Sequence, residues 1–163
     1  MNDDGSAGRA RHSALRLLAR REHSQYELRR KLKARGYGDR LVDELLAELI
    51  TERLLSDTRY AEAMVTNRAS RGYGPLRICM ELRDRGVAEG IVDKVLQEAE
   101  VDWEERLRHT YDRKYGGIAV ESFKTWASRA QFLKNRGFSV DAIRRVIGNY
   151  GASTPNARRA TKE

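Results

Sequence analysis

Residues Leu28 to Leu46 read LRRKLKARGYGDRLVDELL, residues Ile78 to Leu96 read ICMELRDRGVAEGIVDKVL, and residues Arg129 to Ile147 read RAQFLKNRGFSVDAIRRVI. The three align without a gap on the Arg-Gly pairs at 35 and 36, 85 and 86, and 136 and 137. Each has Leu four residues before the glycine (Leu32, Leu82, Leu133) and an apolar residue just after it (Tyr37, Val87, Phe138). Apolar pairs follow at the fifth and sixth positions and again at the ninth and tenth, which is one face of a helix. A glycine just past a helix end takes the left-handed conformation, and the residue after it then meets the Leu four before it, the Schellman arrangement. The preceding Arg lies at the negative end of the helix dipole. Each Arg-Gly is therefore a helix stop and a tight turn into a second helix.

A further amphipathic stretch precedes each pair: Arg9 to Arg21, Asp57 to Arg71, and Trp103 to Tyr115. Start signals agree, with Ser24 and Glu27 as a capping box, Ser56 and Asp57 before the fourth helix, Pro75 in a first turn and Ser139 before the last. The spacing predicts an all-α fold of three tandem three-helix repeats, residues 7–54, 57–99 and 103–149. Units this small bury little surface alone, so they are expected to stack into an elongated, curved short solenoid. The tails, 1–8 and 151–163, are small and polar and are expected to be disordered.

Composition narrows function. Of 163 residues, 32 are Lys or Arg and 24 Asp or Glu, a net charge of +8, and only two are proline. There are no Val/Ile-rich runs with frequent turn signals, which excludes a sandwich, a barrel or an α/β sheet. The apolar runs are far shorter than the roughly 20 residues of a membrane span, and Met1 to Ala7 lacks the apolar segment of a signal peptide. A cytoplasmic protein without membrane attachment is expected. The lone Cys79 cannot form an internal disulfide, and His12, His23 and His109 have no partners at metal-ligand spacing, so neither metal nor cofactor is expected. No nucleophile, phosphate-loop or metalloprotease pattern occurs, and the expectation is a protein that is not an enzyme.

The charge is unevenly spread. Residues 1–55 carry +3, residues 56–105 carry −4 and residues 106–163 carry +9. Tandem three-helix units with a basic surplus allow a stand-alone DNA-binding protein of helix-turn-helix type. Against that, Asp39 to Glu52 has five acidic residues and one basic, and Ala88 to Glu100 is acidic too. Phosphates would repel such recognition helices. Two middle helices, Gln25 to Arg35 and Lys124 to Arg136, are basic instead, so the molecule is fitted to a partner of mixed charge, such as a protein assembled on nucleic acid. On charge alone, Lys124, Arg129, Lys134, Arg136, Arg144 and Arg145 are candidates for a phosphate-facing surface making weak, sequence-independent DNA contact.

The stretch Asp57 to Val87 reads DTRYAEAMVTNRASRGYGPLRICMELRDRGV. With Asp57, Tyr60 and Ala61, Arg68, Arg71 to Gly74, Arg77 and Ile78, Glu81 and Leu82, and Arg85 and Gly86, it resembles the hallmark of the RecX family of bacterial recombination regulators. The likeness extends over about residues 12–149. It implies three tandem three-helix repeats and binding to RecA or to the RecA filament on single-stranded DNA, with restraint of strand exchange, ATP hydrolysis and coprotease activity. It also implies Arg68, Arg71, Tyr73 and Arg77 as candidate partner contacts. The protein is expected to act as a monomer.

Overall fold

The computed structural model describes residues 3–150. Among the described residues there are nine α-helices and no strands: α1 (Asp3–Leu18), α2 (Gln25–Lys33), α3 (Asp39–Thr51), α4 (Asp57–Ser70), α5 (Pro75–Asp84), α6 (Glu89–Glu98), α7 (Trp103–Tyr115), α8 (Phe123–Asn135) and α9 (Val140–Ile147). The fold is all-α and built of three-helix repeats. Among the described residues, 3–68 with 78–100 form one compact unit, and 69–77 with 101–150 form another.

The Arg-Gly turns behave as their spacing dictates. Gly36, Gly86 and Gly137 have φ of 87°, 73° and 94°. The residue after each donates its N–H to the Leu carbonyl four before the glycine: Tyr37 to Leu32 at 3.4 Å, Val87 to Leu82 at 3.1 Å and Phe138 to Leu133 at 3.2 Å. Those leucines and Val87 and Phe138 are buried, so the cap hydrogen bond and the apolar contact form together.

In the first unit α1, α2 and α3 pack around Ala10, Ala14, Leu28, Leu32, Val42, Leu45, Leu46, Leu49 and Leu55. Tyr60, Ala61, Val65, Ile78, Leu82, Val92 and Val95 are buried as well. In the second unit α7 and α8 pack on α9 through Leu107, Leu133, Phe138 and Ile143. Burying a Leu, Ile, Val or Phe side chain stabilises by about 1.5–3 kcal/mol relative to exposure. A handful of such residues per repeat is a thin core, and hydrogen bonds between matched repeat positions supplement it.

Those bonds recur at the repeat spacing. The buried Ser24 caps α2 by accepting from Glu27 N–H at 3.1 Å and donates to the Arg85 carbonyl at 2.8 Å. Fifty residues on, Gly74 N–H donates to the Arg136 carbonyl at 2.8 Å, and Leu76 N–H to the Gly137 carbonyl at 3.1 Å. In both places the start of a middle helix sits on the next Arg-Gly turn. A Cβ on Gly86 would come within 2.6 Å of Tyr26 Cβ, and one on Gly137 within 2.5 Å of the Arg77 nitrogen. Glu27, read as the second half of a capping box, does other work: its carboxylate binds Arg21 at 2.6 Å, Arg85 at 3.2 Å and Lys31 at 3.7 Å. Burial would push its carboxyl pKa up, but the Arg21 hydrogen bond and the surrounding cations hold it below the ordinary value.

One boundary differs from expectation. Residues 3–8, expected as a disordered tail, are helical, because α1 already has packed turns at Ala10 and Ala14 and extending a helix is far easier than nucleating one. The disorder expected for 151–163 lies outside the described residues. The middle helix of the third repeat is longer at its start than its counterparts: α8 begins six residues before Arg129, whereas α2 and α5 begin three before Leu28 and Ile78. Ser122 caps it, accepting from Thr125 N–H at 3.1 Å.

Candidate functional site

The stretch from Asp57 to Gly86 divides into residues that hold the fold and residues that face outward. Asp57 accepts from the backbone N–H of Gln25 at 2.8 Å and from its side-chain amide at 3.3 Å, fixing the start of α2. Burial raises its pKa, opposed by that backbone bond. Tyr60, Ala61, Ile78 and Leu82 are core. Arg68 is paired with Glu81 at 2.7 Å, both largely covered, so its charge is matched within the first unit.

The loop after α4 is different. Gly72, at φ 80°, brings the backbone against α7, where a Cβ would lie 2.7 Å from Thr110 Oγ1. Thr110 is buried and bonds its own helix at the Arg106 carbonyl, 2.7 Å. Tyr73 has the guanidinium carbons of Arg77 and Arg136 at 4.9 Å and 4.8 Å from its ring centroid, a cation–π geometry. Arg136 donates to the Arg71 carbonyl at 3.1 Å, and Arg77 to the Asn135 carbonyl at 3.1 Å. The loop is thus tied to the turn between α8 and α9 by side chains as well as by the backbone bonds of Gly74 and Leu76. Arg71 extends outward from it, exposed.

Beside this loop lies a cleft of about 270 Å³. Its walls carry Arg71 from the end of α4, Arg106, His109, Arg113 and Lys114 from α7, and Arg136 from the α8–α9 turn. Arg106, His109 and Arg113 fall at i, i+3 and i+7, one face of α7. No Asp or Glu lines the cleft. Among the described residues, none of its five Arg and Lys side chains is ion-paired with a carboxylate. Two of them rest on Phe132, Lys114 Nζ at 3.8 Å and the Arg136 guanidinium at 5.2 Å from the ring centroid. Like charges gathered on a concave wall repel one another and focus the field outward, which favours an anionic ligand.

The six cations assigned on charge alone fare unequally. Lys124, Lys134, Arg144 and Arg145 are exposed, Arg145 facing Glu104 at 3.3 Å. Arg136 joins the cleft. Arg129 does not belong to any outward surface: it is 4% exposed, donates to Tyr111 Oη at 2.7 Å, the Ile118 carbonyl at 2.9 Å and the Ala119 carbonyl at 3.1 Å, and lies 4.9 Å from the Tyr115 ring centroid. It fixes the loop between α7 and α8. Arg106, Arg113 and Lys114 were not singled out from the sequence.

Among the described residues no group of three or more His, Cys, Asp or Glu could hold a metal ion, and no helix is long and apolar enough to cross a membrane.

Comparison with known proteins gives a consistent result. Family models described as the first, second and third three-helix domains of RecX match residues 10–49, 56–96 and 100–147, in chain order. The regulatory protein RecX of Halorhodospira halophila is 46% identical over 145 residues, covering 88% of this chain and 90% of its own length. That of Ectopseudomonas mendocina is 47% identical over 137 residues, covering 84% of this chain and 91% of its own. The crystal structure of RecX from Lactobacillus salivarius has the same fold, with a TM-score of 0.72 at 20% identity, over 88% of this chain and 96% of that one.

Proposed function

Because the chain belongs to the RecX family of regulatory proteins, we propose that it regulates RecA, binding RecA or the RecA filament on single-stranded DNA and restraining strand exchange, ATP hydrolysis and coprotease activity. It acts as a cytoplasmic monomer, by binding rather than by catalysis. The observation that carries this reading is the match of all three repeats, in order, to relatives that are themselves named regulatory proteins. The charge pattern supports a partner of mixed sign. Acidic α3 and α6 alternate with basic α2 and α8, a pattern that repels a bare duplex over part of its length and suits a protein coated on DNA.

Arg71, Tyr73 and Arg77 are the proposed contacts with RecA; Arg68, whose charge is matched by Glu81, is left out of them. Lys124, Lys134, Arg136, Arg144 and Arg145 supply a weak, sequence-independent attachment to DNA. The test is RecA-driven strand exchange between a circular single strand and a linear duplex. The expected outcome is suppression at or below one copy of this protein per RecA subunit. Undiminished exchange with the protein shown to be folded by circular dichroism would refute the reading. Strong, sequence-selective binding to duplex DNA alone, surviving physiological salt, would point to the helix-turn-helix alternative.

A further inference from the structure

We propose that the cleft walled by Arg71, Arg106, His109, Arg113, Lys114 and Arg136 binds consecutive phosphates of a single-stranded nucleic-acid backbone. The inference deepens the nucleic-acid contact of the preceding reading, and it moves its centre from the exposed faces of α8 and α9 to the face of α7.

Three observations converge on that ligand. The first is charge without compensation. Five permanent cations from three separate stretches of chain line one concavity, with no carboxylate in its wall. Elsewhere on the protein exposed arginines are commonly paired, as Arg11 is with Glu52, Arg29 with Asp43, Arg83 with Glu89 and Arg108 with Glu104. The second is rigidity. The cleft's walls are fixed by the close approach of Gly72 to Thr110, by Arg136 on the Arg71 carbonyl, and by the backbone bonds of Gly74 and Leu76 to residues 136 and 137. With the backbone of the walls held in place, the ordering cost of binding falls on the exposed side chains alone.

The third observation is shape. A B-form duplex is a stiff convex rod with a persistence length of about 50 nm, which meets the rim of a concavity of about 270 Å³ but not its walls. A single strand can turn successive phosphates inward. The cleft offers little for base stacking of the kind used by sequence-tolerant single-strand binders: its phenyl ring, Phe132, already has Lys114 and Arg136 against it, which leaves the His109 imidazole among its lining residues. Recognition is of phosphate, and therefore blind to sequence.

The experiment measures fluorescence anisotropy of a labelled oligothymidylate with the full-length protein across a salt series, in the absence of RecA. Arg106→Ala with Arg113→Ala removes two exposed cations of α7 that are paired with no carboxylate among the described residues. Each phosphate contact on a single strand contributes about 0.7 to the salt slope. The double variant should therefore lower the slope by about 1.4 and the affinity by about 25-fold at 0.1 M salt. Arg106→Gln with Arg113→Gln, which keeps the stem length, should behave alike, and circular dichroism verifies folding of both. Arg144→Ala with Arg145→Ala should change binding far less. A duplex of the same length should bind more weakly and lose little in the α7 variants.

Wild-type binding by both α7 variants would overturn the assignment, as would a larger loss from the α9 variant. Inorganic tripolyphosphate distinguishes a strand from a free oligophosphate. Displacement of the oligonucleotide only at a large excess of phosphate supports the strand, and displacement at equal phosphate concentration overturns it. Because RecA is absent throughout, a negative result here leaves RecA regulation standing, and the converse holds for the strand-exchange test.

Discussion

Replacing Gly137 by alanine perturbs the turn on which the second unit is assembled, and the structure allows the cost to be worked out. Gly137 has φ of 94°, where an L residue is strained by about 1–2 kcal/mol. The new Cβ would also lie 2.5 Å from the Arg77 backbone nitrogen, an atom that cannot rotate aside. Overpacking of that kind adds about 1–3 kcal/mol. The total is about 2–5 kcal/mol. Gly36 provides the internal comparison: its φ is 87°, but nothing lies within 4 Å of where its Cβ would be, so Gly36→Ala should cost only the conformational strain, about 1–2 kcal/mol. Urea unfolding measures both. Trp103 and Trp126 both lie in the second unit, so tryptophan fluorescence follows the unit containing Gly137, whereas far-ultraviolet circular dichroism reports the helices of both units and gives the unit containing Gly36 by difference. With a slope of about 1–3 kcal/mol per molar urea, the Gly137→Ala midpoint should fall by about 1 M or more. A Gly137→Ala cost no greater than that of Gly36→Ala would show that the close approach to Arg77 does not constrain the fold.

Three other outcomes are expected. Ser24→Ala removes both the cap on α2 and the donor to the Arg85 carbonyl, and should destabilise the first unit by about 2–3 kcal/mol in urea unfolding; a cost under 0.5 kcal/mol would contradict the double role. Arg129→Met leaves two loop carbonyls and Tyr111 without their donor and should cost about 1–3 kcal/mol, whereas the exposed Lys134→Ala should stay within about 0.5 kcal/mol; equal effects would return Arg129 to the surface. His23 is 1% exposed, with Nδ1 donating to the Arg21 carbonyl at 3.0 Å and Nε2 accepting from Lys31 at 2.9 Å, which requires the neutral ring. Burial lowers its pKa below the ordinary 6.5, helped by Arg21 and Lys31 and opposed by Glu27 and the Arg21 carbonyl bond. The unfolded chain therefore takes up a proton first as pH falls, so stability is full above pH 6.5 and declines below it. His23→Gln should flatten the stability profile between pH 7 and 5, and an unchanged slope would refute the assignment.

The fold was legible because its signal is repeated. A Leu, an Arg-Gly and an apolar residue at fixed spacing specify the same helix stop three times, and each stop has the capped geometry that the spacing demands. The start of α1 was not legible, because small polar residues before Ala10 look like a tail until packing further along has already nucleated the helix. The site was half legible. Arg71 and Arg136 were singled out, whereas Arg106, Arg113 and Lys114 were hidden by the acidic Glu104 and Glu105 at the head of the same helix. Their i, i+7 spacing with His109 between was the signal available. Arg129 shows the opposite error. In the repeat alignment it occupies the position of Leu28 and Ile78, both fully buried, and that register foretold a core residue more reliably than its charge foretold a surface one. What no single-sequence reading supplies is convergence: the cleft's cations come from residues 71, 106–114 and 136, brought together by the close approach of Gly72 to Thr110 and by the loop's attachment to the α8–α9 turn.

Titration of this protein into RecA hydrolysing ATP on single-stranded DNA is the most direct test of RecA regulation. ATP turnover should fall as the protein is added and reach a low plateau at or before one copy per RecA subunit, with Tyr73→Ala requiring more protein for the same effect. A rate that stays flat across the titration, with folded protein and active RecA, would contradict the account.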